Sequence, residues 1–494
     1  MNLEIGSEIL TIKEMTKADT LAVEAGVSSL DLMENAGATV VREIRKRWVR
    51  RSVVVLAGPG NNGGDGFVVA RLLHQIGWPV RLGLLGEKTS LRGDSKVNAE
   101  RWVGKIEEFS VALLEGAGLV VDALFGAGLS RPLEGIVLDI LNAMEARKLP
   151  CVAVDVPTGI DGNTGEVLGG VLNADLTVTF FRKKPGHLIL PGRQHCGEVE
   201  VTDIGIPSGV LKKISPVIAE NLPQLWVDKL PVPAPDFHKY SRGHVVIVGG
   251  SEMTGAARLA ARAARRAGAG ILSIVSPTNA KHIYEISDAG NLVLELPAKK
   301  GLSGILDNKR RNAVLVGPGN GVTELTRKNA ISALTSKNAV VLDADALTAF
   351  EGDPETLFSS IKGRCVLTPH QGEFDRLFKI NGDKLSRCRE AAKLANSVII
   401  LKGFDTIIAE PNGRVVINAN APADLATAGA GDVLAGIIIG LMSQGMEAFE
   451  AACAAVWLHG EAAKELGAGL IAEDLSEVLP YVLDDIRKQT TSNR

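Results

Sequence analysis

Two periodicities alternate along the chain. Short, unbroken apolar runs bounded by glycine and aspartate recur at 52–57, 119–124, 151–155 and 176–180, and again at 244–249, 271–275, 313–316, 339–342, 365–367 and 397–401. Between them apolar residues return every three or four positions, the spacing of amphipathic helices. Continuous apolar runs belong to strands covered on both faces, and strands alternating with helices predict parallel sheets with helices on either side. The pattern predicts two doubly wound α/β domains. A helix is expected over about Leu30–Arg47, where Leu32, Met33, Ala36, Val40 and Ile44 share a face, with Ser28 and Asp31 placed as a capping box. Its Met33-Glu-Asn-Ala-Gly37 segment either packs on the sheet or lines a site. Leu222–Asp236 contains four prolines, which remove backbone donors and discourage helix. It reads as a linker, giving domains 1–222 and 223–494. The halves share no obvious period, so a fusion is expected and not a duplication.

Composition narrows the function classes. A length of 494 residues exceeds one core at roughly 100–200 residues per domain. Apolar residues at 46% and charged residues at 22% describe a globular chain. A net charge of −3 provides no basic surface for a nucleic-acid backbone, and 4% aromatics supply few stacking platforms. The 54 glycines exceed the usual ~7% and imply many tight turns. No run reaches the ~18 apolar residues of a membrane span, the longest approach lying around Val433–Met442. Met1–Leu10 carries Glu4 and Glu8 and lacks an export leader. The five cysteines form no C-x-x-C pair, so core filling and a reducing cytoplasm are expected, without a disulfide framework or zinc site.

In the first half the 52–57 run leads into Gly58-Pro-Gly-Asn-Asn-Gly-Gly-Asp-Gly66, with a helix expected from about Phe67. A strand, a glycine loop and a helix N-terminus favour a phosphate. Gly58–Gly63 fits G-x-G-x-x-G, a Rossmann-like feature, and Glu87 stands near where a ribose-binding acid belongs. A tight turn needing glycines is the competing reading. Asp122 and Asp155 each end a strand, and Val156-Pro-Thr158 follows the second. Parallel strands share a carboxyl edge, so Asn61, Asp65, Asp122, Asp155 and Thr158 are expected to converge. Asn61, Asp122 and Thr158 suit a hard monovalent cation rather than zinc. Asp155 is then a candidate acid/base group. Lys184-Pro-Gly-His187 forms a further rim, with His187 expected as a satisfied surface histidine.

In the second half the 244–249 run meets Gly249–Gly255 and an alanine-rich helix carrying Arg258, Arg262, Arg265 and Arg266, read as part solvated face and part phosphate contact. Ala426-Thr-Ala-Gly-Ala-Gly431 leads into an apolar helix reaching about Ser443, whose first turn offers N–H groups to phosphates. Asp432 at that end is either a favourable first-turn residue or a base that takes a proton from an attacking hydroxyl. Asp343-Ala-Asp345, Thr368–Glu373 and Lys402–Thr406 close neighbouring strands. Neither a P-loop nor a protein-kinase motif set is found.

The first half resembles the NAD(P)H-hydrate epimerase family, through Asn61–Gly66, Asp122–Gly126, Asp155–Asp161 and Lys184–His187. The resemblance implies that Asn61, Asn62, Gly63, Gly64, Asp65, Gly126, Ala127, Gly128, Leu129 and Asp155 bind the hydrated nucleotide. It implies potassium on Asn61, Asp122 and Thr158, and Asp155 as the catalytic or orienting carboxylate; Thr158 stands where relatives often have serine. The second half is similar to ADP/ATP-dependent NAD(P)H-hydrate dehydratases of the ribokinase-like fold, through Gly249–Ser251, Gly317–Gly319, Asp343–Leu347, Thr368–His370, Lys402-Gly403 and Gly429–Asp432. Lys402, Gly403, Phe404, Asp405, Thr406, Gly429 and Gly431 would hold ADP or ATP with magnesium; Ala256, Gly319, His370 and Asp432 would hold the hydrate. Ala428 departs from a usual glycine and Gln371 from a usual proline. The implied chemistry phosphorylates the hydroxyl of the hydrated ring, with Asp432 as base, then expels phosphate. The first domain exchanges the two epimers so that both are repaired. A soluble cytoplasmic homo-oligomer acting on small molecules is the corresponding expectation. The competing readings are a small-molecule kinase of a vitamin or sugar alcohol joined to a nucleotide sensor, and a dehydrogenase.

Overall fold

The computed structural model describes residues 6–232 and 236–492, in two compact units, 1–218 and 219–494. In the first, seven parallel strands run β1 (Val53–Ala57), β2 (Val80–Leu84), β3 (Ile106–Glu107), β4 (Leu119–Ala123), β5 (Cys151–Val154), β6 (Leu176–Phe180) and β7 (Glu198–Thr202), in the order β3-β2-β1-β4-β5-β6-β7. Leu56 lies beside Asp122, and Asp122 beside Ala153, so the carboxyl ends of β1, β4 and β5 open on one edge. The central strands are wholly buried, matching their unbroken apolar runs.

Helix α1 (Ile12–Glu24) starts at a Thr11 N-cap with Glu14 closing a capping box. Helix α2 (Ser29–Arg47) carries an Asp31 N–H on Ser28 but no reciprocal bond, so only half of the expected box forms. Its Met33 and Ala36 are buried. Helix α3 begins at Asn61 and runs to Gln75, six residues earlier than the sequence indicated. Glycine disfavours helix by ~1 kcal/mol, yet here space decides. A Cβ on Gly63 would sit 1.8 Å from the Gly58 carbonyl oxygen, and one on Gly66 would sit 2.7 Å from the Ala123 Cβ. Most of the expected glycine loop is therefore the first turns of a helix pressed onto the sheet.

The second unit's strands from His244 onward are β8 (His244–Val248), β9 (Ile271–Ser276), β10 (Leu292–Glu295), β11 (Ala313–Val316), β12 (Ala339–Leu342), β13 (Cys365–Leu367), β14 (Val398–Leu401), β15 (Thr406–Ala409) and β16 (Val415–Asn418). They order as β16-β15-β14-β13-β12-β11-β8-β9-β10, parallel except where β15 pairs with its neighbours. Helix α6 (Thr254–Arg266) crosses α8 (Ala430–Ser443) closely, because Gly436 and Gly440 lie against the Ala260 and Ala264 carbonyls. The apolar stretch at Val433–Met442 is thus a core helix, and among the described residues no helix is long and apolar enough to cross a membrane.

The proline-rich 222–236 segment departs from a plain linker. Trp226 is 1% exposed, donates its indole N–H to Asn221 at 3.2 Å and packs near Trp457. Burying an aromatic ring stabilises by ~1.5–3 kcal/mol, enough to hold the front of this segment to the second core. All five cysteines are free and buried.

Candidate functional site

In the first unit a cavity of about 850 Å³ opens at the carboxyl edge. Asn61, Asn62, Asp65, Gly126, Ala127, Gly128, Leu129 and Asp155 all line it. Gly63 and Gly64 are packed away inside α3, Gly64 against the Met33 sulfur. A Cβ on Gly126 would lie 3.1 Å from Asn62 Oδ1 and 3.3 Å from Asp155 Oδ2, which shows how tightly these three are gathered.

Asp155 follows β5 with φ at +67°, in the left-handed region that non-glycine residues avoid. Such strain is held where the surroundings over-determine it. Here Lys184 Nζ donates to Asp155 Oδ1 at 2.5 Å, Thr179 Oγ1 donates to the same oxygen at 3.0 Å, and the Ala127 N–H reaches Oδ2 at 3.3 Å. Burial works to raise this carboxyl, but the Lys184 charge and its hydrogen bond outweigh it and hold Asp155 below the usual carboxylate range. His187 is not on the surface as expected; it is 1% exposed. Its Nδ1 accepts the Lys184 N–H at 2.9 Å, leaving Nε2 to donate to the Asp155 carbonyl at 2.7 Å. Burial, helped by Lys184, pushes it down to about 4, so it stays neutral and braces the turn.

Asp122 and Thr158 come together beneath the cavity. Thr158 Oγ1 and N–H donate to the two Asp122 oxygens at 2.7 and 2.8 Å, and the Leu124 N–H adds a 3.3 Å bond. Burial raises this carboxyl despite those bonds, and its hydrogen-bond partners among the described residues are uncharged. Asn61 lies at the cavity wall.

Two acids join Asp155 around the cavity. Asp65 is pushed well up by burial and by Asp155 and Asp19, with Lys184 opposing. Asp19, on α1, is raised to about 6 by burial, with Lys184 opposing and Asp155 adding. Nothing in the sequence reading singled out Asp19. The capping box and the spacing of Ile12, Met15 and Asp19 are the signals that mark α1 as a helix with one committed face. Glu87, considered for a ribose, is exposed beyond β2.

In the second unit Asp343, Thr368 and Lys402 leave the adjoining strands β12, β13 and β14. Lys402 Nζ and Thr368 Oγ1 each donate to Asp343 Oδ1 at 2.7 Å, and Glu373 Oε2 stands 4.0 Å from the same amine. Burial lowers Lys402, but Asp343 and Glu373 outweigh it and keep the amine charged. A Cβ on Gly431 would lie 3.6 Å from Lys402 Nζ, which places the α8 N-terminus over this pair. Asp432 is lifted to about 7 by burial and by Asp343, against Lys402.

The other expected residues divide. Gly319 holds φ +67°, and a Cβ there would lie 3.2 Å from the Ala256 Cβ, so these two are neighbours. His370 caps helix α7 (Gln371–Leu377), with its Nδ1 accepting the Gly372 N–H at 3.0 Å, and pairs by a single bridge with Lys402. Phe404 is 36% exposed, whereas the Asp405 carboxylate is buried against Lys384. Thr406 Oγ1 donates to the Gly403 carbonyl at 2.6 Å, closing a turn. Gly429 takes the positive φ of the loop, +88°, and Ala428 does not. The alanine therefore meets no backbone penalty. Gln371 occupies the first helical position, where proline is equally tolerated. Arg262 and Arg266 are committed to Asp288 and Glu477.

Each unit thus sets a lysine–aspartate pair beside further acids at the carboxyl edge of a parallel sheet. This is the architecture of a two-site α/β enzyme acting on nucleotide-sized ligands. A family model described as YjeF-related protein N-terminus matches residues 29–186, and one described as NAD(P)H-hydrate dehydratase matches 245–480. The bifunctional NAD(P)H-hydrate repair enzyme of Moorella thermoacetica is 36% identical over 97% of both chains, and that of Salinibacter ruber 35% identical over 96% of both. The chain belongs to the family of bifunctional NAD(P)H-hydrate repair enzymes. Among solved structures, an ADP/ATP-dependent NAD(P)H-hydrate dehydratase from Bacillus subtilis, co-crystallised with ATP and magnesium, is 29% identical with a TM-score of 0.49, covering 54% of this chain and 98% of its own.

Proposed function

We propose that the first unit interconverts the R and S hydrates of NADH and NADPH in the cavity around Asp155, and that the second dehydrates the S hydrate at Asp432 with ADP or ATP. The observation that carries the second assignment is a carboxyl at a helix N-terminus, lifted to about 7 beside a charged lysine. Such a group is half ionised at neutral pH and suited to take a proton. As Asp432 accepts the hydroxyl proton, the oxygen attacks the terminal phosphate and the lower nucleotide leaves. The ring nitrogen's lone pair then expels phosphate, and loss of a neighbouring proton restores the reduced ring. The amides of the first turn of α8, with Gly429 and Gly431, face the transferring phosphate, and Lys402 balances charge beside it.

Magnesium would enter with the nucleotide's phosphates near Asp343 and Asp432 and would supply neutralisation of phosphate charge; among the described residues no three acids, histidines or cysteines gather closely enough to hold it alone. Potassium fits the first unit by a different route. The buried Asp122 carboxylate has only neutral hydrogen-bond partners among the described residues, and with Thr158, bonded to it, and Asn61, at the cavity wall, it would make up an oxygen set suited to a monovalent cation. It would steady the Leu124–Gly126 backbone that walls the cavity.

The test is incubation of the protein with hydrated NADH and either ADP or ATP, following the absorbance of the reduced ring and released phosphate. Recovery of both signals, for R as well as S hydrate, is expected. A stable phosphoester without regained absorbance would instead make the second unit a kinase.

A further inference from the structure

Helix α1 presents one face to the cavity: Ile12, Met15, Asp19, Thr20 and Val23 recur at helical spacing along its wall. Asp19 sits at the middle of that face. The epimerase-type family match begins at residue 29, after α1 has ended. Asp65 on α3 and Asp155 with Lys184 line the same cavity, and the charges of Lys184 and Asp155 act on Asp19. The other charged groups that line it are Glu24 on α1 itself, Asp94 and Arg131. Elsewhere on α1, Lys17 is turned to the Lys213 carbonyl at 3.1 Å and does not neutralise Asp19.

We propose that Asp19 is a catalytic acid of the epimerase site, giving a proton to the hydroxyl that leaves the hydrated ring and recovering one from the water that re-adds. The proposal rests on the epimerase reading of this cavity. The stereocentre carries a hydroxyl on the carbon bonded to the ring nitrogen. The Asp19 carboxylic acid transfers its proton to that oxygen. The C–O bond breaks with its electron pair on oxygen, which departs as water, and the nitrogen lone pair forms a C=N bond. The planar ring then turns its other face to Asp19 by rotating about its bond to the ribose, and water adds there, its oxygen bonding to carbon while the C=N pair returns to nitrogen and its extra proton goes back to the Asp19 carboxylate. Nothing is oxidised or reduced, and atoms and charge balance.

The division of labour follows from the cavity. Asp155 is bound to Lys184 at 2.5 Å and stays ionised, which makes it an orienting and cation-stabilising group and a poor proton donor. Among the described residues Asp19 has no such pair, and burial holds its carboxyl up at about 6, within reach of protonation near neutral pH.

The experiment uses the full chain. R-to-S exchange is followed by chiral chromatography without ADP or ATP, across pH 5 to 9, for wild type, Asp19→Asn, Asp19→Glu and Asp155→Asn. Asp19→Asn is expected to lower kcat by ~10²-fold or more with KM within about threefold. It should also remove the fall in wild-type rate as pH rises past about 6, and Asp19→Glu should restore part of the rate. The unchanged KM and the partial recovery by Asp19→Glu serve as the folding control for the first unit, and dehydration of the S hydrate by the same variants as that for the second. An Asp19→Asn kcat within twofold of wild type, or a change in KM alone, would overturn the proposal while an inactive Asp155→Asn left the epimerase reading standing. Absence of exchange by the wild type would instead remove the epimerase reading itself.

Discussion

Replacing Lys184 with methionine tests the electrostatics of the first cavity most directly. The lysine side chain is 2% exposed and holds Asp155 Oδ1 at 2.5 Å, with a second bond to Thr179 at 2.9 Å. Methionine keeps the length and apolar stem but leaves Asp155 facing Asp65 and Asp19 without a cation. Removing one partner of a buried pair costs ~3–5 kcal/mol; Asp155 keeps 19% of its side-chain surface, which argues for the lower figure. For a unit of this size ~1 kcal/mol moves Tm by ~2–4 °C, so a loss of roughly 6–12 °C is expected near pH 8. The sign with pH is fixed by linkage. In the wild type Asp155 lies below its unfolded value, so its contribution is present above about pH 4 and is lost as pH falls through the folded value. In the variant burial prevails and the folded value rises, so stability is lost as pH increases. The deficit must therefore shrink towards pH 5. Calorimetry of the full chain reads it, the second unit's transition being the one that added ATP moves. A deficit as large at pH 5 as at pH 8, or one below 1 °C at pH 8, would refute this account of Asp155.

Asp432→Asn should cut dehydration of the S hydrate by ~10²–10⁴-fold and leave epimer exchange intact, while the wild-type rate climbs through about pH 7 as the base ionises. Because the folded value of Asp432 is raised, its ionisation costs stability as pH rises, so Asp432→Asn should melt above wild type at pH 8 and level with it at pH 4. Gly63→Ala drives a methyl to 1.8 Å from a backbone oxygen and should cost ~3 kcal/mol or more in urea melts. Gly60→Ala, with no atom of the described residues within 4 Å of the new methyl, should stay within ~0.5 kcal/mol. Exchanging potassium for choline should slow epimer exchange and leave dehydration of the S hydrate unchanged, and Asp122→Asn should abolish the response to potassium titration.

What could be read in the chain, and what could not, follows from where each residue sits. Strands buried on both faces, such as Val53–Ala57 and Val398–Leu401, carry an unbroken apolar signature. The outer strand Glu198–Thr202 alternates charged and apolar residues because it is partly exposed, and it was not anticipated. The β15–β16 hairpin is obscured for a different reason: both strands are buried, but the first follows directly on Lys402–Thr406, whose polar residues read as a ligand loop. Asn61–Gly66 defeated local reasoning because its glycines answer a packing demand from Gly58 and Ala123, residues outside the helix. The motif acids Asp122, Asp155 and Asp432 were visible because they end strands or begin a helix. Asp19 was not: an acid on one helix face is ordinary in sequence, and its meaning arises only from what else lines the cavity.

The two sites share an electrostatic arrangement that ties these observations together. In each, a lysine at the sheet edge binds one aspartate, Lys184 with Asp155 and Lys402 with Asp343. Beside each pair burial raises another half-buried acid, Asp19 to about 6, where Lys184 opposes more than Asp155 adds, and Asp432 to about 7, where Asp343 adds more than Lys402 opposes. Pushing neighbouring carboxyls apart in this way separates a fixed charge from a group that can carry a proton. In the second unit the proton carrier is the motif aspartate; in the first, the motif aspartate is the fixed charge. That inversion is why the paired Asp155 alone leaves the hydroxyl without a proton donor, and why the wall formed by α1 matters to the chemistry as well as to the shape of the cavity.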